Sequence, residues 1–488
     1  MTAKERRTLT VLAIVLAVGG ALYFLSSVGL ARSGLASTAL TVVALGALLY
    51  LMRTVDPAWL VSGGIAASMF AGHWNSLGVD TNPAPHRVVL LAALVAVLVR
   101  VGPSRDRPPL HLTGAHFVLL AAFAYAAVSA FVSGTLGDRY AQATLLDVFG
   151  GVPFLLFIVA PVVFTGRRQR MILLGTLVGC GVYLSLTALL EKLKLTALVV
   201  PSYITDPSVG IHFGRARGPF ADAGAEGLAL FMCMVAAAIA FVSWRRTWHR
   251  AIAGLVLVLA PIGMLATVTR GVWLAAIIGT LATLATTQGL RRFLLPTAAA
   301  GFLAVLVAFA AVPGLGRQAH ERRVDNAPVW ERQNTTAAGL RMVADKPFLG
   351  FGWQQAYNRM EPYFRLDPNI PLVGGKAGLH NVYLQYLVEL GAVGLGLWLV
   401  AAALTLGGAI FRRAPPEIRP WQIGLKACTI AWIVVGLVSP AAFEFTTALL
   451  WTWAGIAYGR RDVALAPAPG GAALGRRDRP DFGSPLPA

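Results

Sequence analysis

The chain has 488 residues, of which 57% are hydrophobic and only 13% charged, and its mean hydropathy is +0.67. A water-soluble domain carries about twice that share of charge, so a soluble globular enzyme is excluded. Most of the formal charge of +19 is topological and does not point to nucleic acid, because lysine and arginine collect in the short cytoplasmic loops of membrane proteins.

Apolar runs of about 18–25 residues recur along nearly the whole chain, as in a polytopic helical membrane protein. In chain order the spans fall at 9–31, 35–52, 57–74, 86–102, 110–133, 141–165, 170–190, 222–243, 250–268, 271–289, 293–313, 380–411, 421–439 and 441–459. The first run is followed at once by another and lacks a small-residue cleavage site, so it reads as a span and not as a signal peptide. With the N-terminus inside, every cytoplasmic connection holds at least one basic residue, from Lys4, Arg6 and Arg7 through Arg167, Arg168 and Arg170 to Arg460 and Arg461. The short outer loops hold few, such as Arg32, Arg87 and Arg139.

The expected fold is therefore all-α, a polytopic membrane bundle of about 12–14 transmembrane helices with a long, partly helical extracytoplasmic loop. Six regions follow. Residues 1–190 are N-terminal spans, and 191–221 form an outer loop with an arginine motif. Residues 222–313 are central spans, and 314–379 form the large outer loop. The C-terminal spans occupy 380–459, and a Pro-, Gly-, Ala- and Arg-rich tail at 460–488 reads as disordered and cytoplasmic. No internal repeat of the kind found in secondary transporters is visible. Cys180, Cys233 and Cys428 lie singly inside apolar runs and read as small core residues.

Three outer segments carry candidate chemistry. The first is Gly214-Arg215-Ala-Arg217-Gly218-Pro219-Phe220, just before a span. The second is Thr267-Val-Thr269-Arg270-Gly271-Val-Trp273, between two spans that have almost no loop between them. The third is the large loop with Arg317, Arg322, Arg323, Arg332, Arg341 and Lys346, which ends at His380. A charge at the membrane is costly and marks function by default. The guanidinium fork matches phosphate oxygens, and a helix beginning at Gly271 adds amide donors for an anion. The bland alternative for such an arginine is snorkelling to lipid headgroups.

His380 stands at the mouth of a span, where a water-borne group meets a lipid-borne one. Its imidazole titrates near neutral pH and suits a general base. A helix starting near Leu379 would place His380, Tyr383, Leu384 and Leu387 on one face. Glu389, nine residues on, would point the other way about 13 Å deeper, which rules it out as a direct acid–base partner. Asn381 would orient a substrate or cap the helix. Asp147 and Glu444 read as polar packing, and Asn334-Thr-Thr336 fits a glycosylation sequon. The outer histidines have no zinc-ligand spacing, and the outer acids stand singly, so no metal site is expected.

Four motifs, in order and all on one face, resemble the O-antigen ligase superfamily, which includes O-antigen polymerases and protein O-oligosaccharyltransferases. They are Arg215-Ala-Arg217-Gly-Pro-Phe220; Thr269-Arg270-Gly271-Val-Trp273; Ala338-Gly-Leu-Arg341 with Lys346-Pro-Phe-Leu-Gly350-Phe-Gly352; and His380-Asn-Val-Tyr-Leu384 with Glu389-Leu-Gly391-Ala-Val-Gly394. The resemblance covers about residues 205–410. Where the family often has Pro-Asn after the first motif, this chain reads Ala221-Asp222.

The resemblance implies a bacterial multi-pass protein of the cytoplasmic (inner) membrane whose active site faces outside. It implies transfer of a glycan from an undecaprenyl-diphosphate carrier to a glycan, glycolipid or protein acceptor, with inversion and without cofactor or metal. Arg217 and Arg270 would contact the diphosphate with Arg215 as neighbour, and His380 would activate the acceptor hydroxyl. Asn381, Tyr383 and Arg341 would help to orient the acceptor. A polymerase joining carrier-linked repeats shares these features. A lipid-linked glycan flippase would instead spread charge through the middle of several helices.

Overall fold

The computed structural model describes residues 46, 50–79, 83–101, 112–311, 326–366, 371–373, 378–439 and 443–465. The expected span at 9–31, nearly all of that at 35–52, Arg317, Arg322, Arg323 and the tail beyond Leu465 lie outside the described residues. Among the described residues every regular element is helical, and the protein is an all-α polytopic bundle.

The helices are α1 (Pro57–Ala67), α2 (Pro85–Val101), α3 (Gly114–Val132), α4 (Arg139–Val163), α5 (Arg167–Lys192), α6 (Ala223–Ser243) and α7 (Thr247–Ala266). They continue with α8 (Arg270–Thr286), α9 (Leu294–Ala311), α10 (Ala327–Asp345), α11 (Val382–Phe411), α12 (Arg419–Val438) and α13 (Glu444–Leu465). Seven of them, α3 to α7 together with α11 and α12, are long and apolar enough to cross a membrane. The expected span 57–74 is shorter than it read. Its α-helix has 11 residues, about 16 Å, before it tightens into a 3-10 turn at Ser68–His73. The last helix runs on to Leu465, into the expected tail.

The sequence sets the helix starts through side-chain caps. Asp56 accepts from the Ala58 amide ahead of α1, with Pro57 in the first turn, and Asp222 accepts from Gly224 and Ala225 at the start of α6. Small residues then let backbones approach where no hydrophobic force drives helices together in lipid. Gly279 of α8 faces the Ala427 carbonyl of α12, and Gly455 of α13 faces the Phe157 carbonyl of α4. Helix α6 is the axis of the core, and its residues from Ala223 to Cys233 are all buried.

Helix α11 is not continuous. Gly391 adopts φ 65°, ψ −174°, which breaks the ladder and frees backbone groups on both sides. The segment Pro347–Gly352 of the large loop fills the break. The Phe351 and Gly352 amides donate to the Val388 and Glu389 carbonyls at 2.9 and 2.8 Å, and the Ala392 and Val393 amides donate to the Pro347 and Phe348 carbonyls at 2.8 and 3.2 Å. The approach is close enough that a Cβ on Gly391 would lie 2.1 Å from the Phe348 oxygen.

Trp353, fully buried, locks the same segment down. Its indole donates to the Ala141 carbonyl at 3.0 Å and sits against Phe149 and Tyr386, while its amide donates to Ser129 Oγ at 3.1 Å. The large loop is thus knitted into α3, α4 and α11.

Gly391→Ala combines a left-handed backbone with a backbone clash and is expected to cost about 3 kcal/mol or more. Gly396→Ala, with open space around it, serves as the neutral control. The check is thermal unfolding in detergent together with protease nicking of residues 326–366; unchanged melting and nicking in Gly391→Ala would refute this account of the break.

Candidate functional site

The three candidate segments meet at one end of the bundle. The Ala216 amide donates to the Ala266 carbonyl at 3.2 Å, which joins the arginine motif to the end of α7. Gly271, at the start of α8, packs on Val438 at the end of α12, and two residues back Gly436 packs on Val382 and Tyr383 at the start of α11. The end of α12 therefore packs on the starts of both α8 and α11.

The arginine motif is a folded turn. Arg217 is 1% exposed, and its guanidinium donates to the Ile204 carbonyl at 3.0 Å, to the Val209 carbonyl at 2.5 Å and to the Asp206 carbonyl. The Glu191 carboxylate at the end of α5 accepts from the Arg217 and Gly218 amides at 3.2 and 2.9 Å. Phe220 O lies 3.0 Å from His73 Nε2. Gly218 has φ 52°, and a Cβ there would come within 2.0 Å of Glu226 Oε2, so only glycine fits this turn. The expected diphosphate contact of Arg217 stands beside a structural role. Its fork is engaged with the loop that it folds, and the half-buried Arg215 is the neighbour set towards the surface. Asp222, which stands where the family often has Asn, caps α6.

Arg270 is the first residue of α8 and is exposed. The turn before it is tight. Val268, a buried β-branched residue, is forced to φ 49°, a conformation that costs such residues about 1–2 kcal/mol. Trp273 fastens the turn, with its indole donating to the Met264 carbonyl at 2.7 Å.

His380 does not share a helical face with Tyr383 and Leu387, as the sequence suggested. The helix starts at Val382, because Asn381 caps it by accepting from the Tyr383 and Leu384 amides at 3.0 and 3.1 Å. His380 precedes the cap. Its Nε2 is 3.4 Å from Glu331 Oε1 on α10, and both side chains are 29% exposed. Burial holds the imidazole below the usual histidine range; Glu331 works against this and Arg332 adds to it.

The orienting candidates have structural attachments. Tyr383 donates to the Ile433 carbonyl at 3.3 Å, and Arg341 donates to the Tyr363 carbonyl at 2.9 Å within the loop. Glu389 has Gln385 as its polar partner at 3.2 Å, and Asp147 is bound by Arg87 and His86. The Asn334 sequon is folded away, since its side chain is 7% exposed and donates to the Pro371 carbonyl at 2.8 Å.

Sequence reasoning missed Glu191, Glu226 and Glu331. Glu331 and His380 are far apart in the chain with no spacing relation between them, and Glu191 ends a span where it read as loop polarity. Among the described residues no cluster of three or more His, Cys, Asp or Glu is placed to hold a metal ion.

Taken together, these elements define a multi-pass helical membrane protein whose polar end joins an arginine turn, an arginine at a helix start and a loop-borne histidine. Residues 255–399, which include Arg270, α10, the mended break in α11 and His380, match the O-antigen ligase family, and this stretch of the chain is similar to that family. It is an O-antigen ligase- or polymerase-like membrane protein. Among curated proteins none matches the chain.

The two arginines separate experimentally. Arg217→Lys leaves several loop carbonyls without donors and is expected to lose about 2 kcal/mol of stability along with activity. Arg270→Lys, at an exposed helix start, is expected to keep its melting temperature and lose activity alone. Equal melting of the two variants in detergent would contradict the assignment of Arg217 as the residue that folds the turn.

Proposed function

We propose that the protein transfers a glycan from an undecaprenyl-diphosphate-linked donor to an acceptor hydroxyl on the outer face of a bacterial cytoplasmic membrane. The observation that supports this reading is that the end of α12 packs on the start of α8, which Arg270 opens, and on the start of α11, which His380 precedes. The donor's lipid tail lies among the helices, and its diphosphate meets Arg270, Arg215 and the first amides of α8. Arg217 contributes by holding the turn that carries Arg215. The acceptor approaches from the large loop.

In this scheme the acceptor oxygen attacks the anomeric carbon from the face opposite the diphosphate. The bond from that carbon to the diphosphate oxygen breaks, and the carrier departs with both electrons. Configuration inverts, and the acceptor proton passes to His380. The growing charge on the leaving group is what Arg270 stabilises, and removal of one such donor typically costs 10²–10³ in rate. A loose transition state needs less help from a base, so His380 contributes less than Arg270. The reaction draws on these side chains without a metal.

The test uses the purified protein in liposomes with an undecaprenyl-diphosphate glycan, an envelope-derived acceptor and EDTA. Wild type is expected to release undecaprenyl diphosphate. Arg270→Ala is expected to fall by about a hundredfold or more, and His380→Ala by less. Full transfer by correctly inserted Arg270→Ala would sink the scheme.

A further inference from the structure

The large loop delivers a carboxylate to the candidate base. Gly339 of α10 packs so closely on α11 that a Cβ there would lie 2.9 Å from Leu379 and 3.2 Å from Leu384. Ala338 and Met342 join Leu379, Leu384 and Val388 in a small apolar core of their own. This seating fixes the register of α10, and about two turns before Gly339 it sets Glu331 beside the imidazole.

Of the two ring nitrogens, Nδ1 is buried, while Nε2 stands 3.4 Å from Glu331 Oε1. A proton taken from an acceptor hydroxyl would therefore come to rest on Nε2 next to a carboxylate. Among the described residues, the charged and titratable groups acting on His380 are Glu331 and Arg332, both on α10, and the Gly378 backbone adds a hydrogen bond.

We infer that Glu331 is a positioning residue for His380: docking of α10 on α11 assembles a carboxylate–imidazole pair in which Glu331 accepts from Nε2–H once the ring is protonated, and so holds and stabilises the imidazolium that forms on proton transfer. This role rests on the function proposed above only where it invokes proton transfer. The pair itself is a property of the folded protein. Opposite charge favours the protonated ring and like charge disfavours it, so Glu331 and Arg332 pull the histidine in opposite directions.

The test reads the histidine directly. Full-length protein in detergent is treated with diethyl pyrocarbonate across a pH series. Carbethoxylation of the His380 peptide, followed by mass spectrometry, reports the fraction of neutral imidazole, and the other histidines of the chain provide internal references. Glu331→Gln is expected to move the His380 midpoint to lower pH, and Arg332→Gln to move it to higher pH. Both side chains lie at the surface of the loop, and intact melting of each variant confirms its fold.

An unmoved midpoint in Glu331→Gln overturns the pair. The acid limb of glycan transfer in Glu331→Gln is then expected to shift in the same direction, with kcat lower by about tenfold and the donor KM unchanged. A shifted midpoint beside an unshifted acid limb upholds the pair and removes His380 as the base, which faults the proposed function and leaves the pair intact.

Discussion

The arrangement of this molecule depends on a repair to one helix. A transmembrane helix survives in lipid because its backbone groups satisfy each other, and an unpaired amide or carbonyl there costs several kcal/mol. Helix α11 breaks that rule at Gly391 and is made whole by a stretch of the large loop, whose amides and carbonyls replace those the helix lost. With Pro347–Gly352 fixed, Trp353 falls into its slot between Phe149 and Tyr386, and α10 is brought down on the start of α11. The surroundings of His380 follow from that seating.

The arginine turn is held by a different device. Arg217 gathers the carbonyls of its own loop, and Glu191 gathers the amides of the same turn from the end of α5. Among the described residues, the non-glycine positions with left-handed backbone are Lys194, His212, Ala221, Val268 and Gln354. All of them lie in the loop before α6, the turn before α8 or just after the segment that mends α11. Strain of this kind persists only where the surroundings over-determine it, and it concentrates where geometry has to be held for a purpose. The opposite end is fastened more simply, by Arg170 reaching Glu417 at 2.5 Å and the Phe164 and Thr165 carbonyls.

Much of this was legible in the residues. Hydrophobic length marked nearly every helix, and alternation of charge marked which ends belong together. The Gly350, Gly352, Gly391 and Gly394 motifs were visible as motifs, yet nothing in them said that two segments some 40 residues apart exchange backbone hydrogen bonds. Arg217 and Arg270 looked alike because both are arginines beside apolar runs. Burial separates them, and burial of a loop arginine is a tertiary fact. Asn381 was read as a substrate-orienting or capping residue, and the structure shows the cap, with the helix starting one residue after it. Glu331 was invisible for a simpler reason: an acid in a charged loop has no periodicity to betray the histidine that it faces.

The way α10 is attached has a consequence for how such proteins diversify. Its main packing partner is α11, and it reaches the rest of the bundle through the short segment that mends the break. The arginine turn and the start of α8, in contrast, are embedded among α5, α6, α7 and α12. One half of the polar end is therefore a cassette on a single helix, and the other half is part of the frame. Changes in residues 326–346 can remodel what the cassette presents while the frame keeps its register, provided that the backbone exchange at Gly391 is preserved.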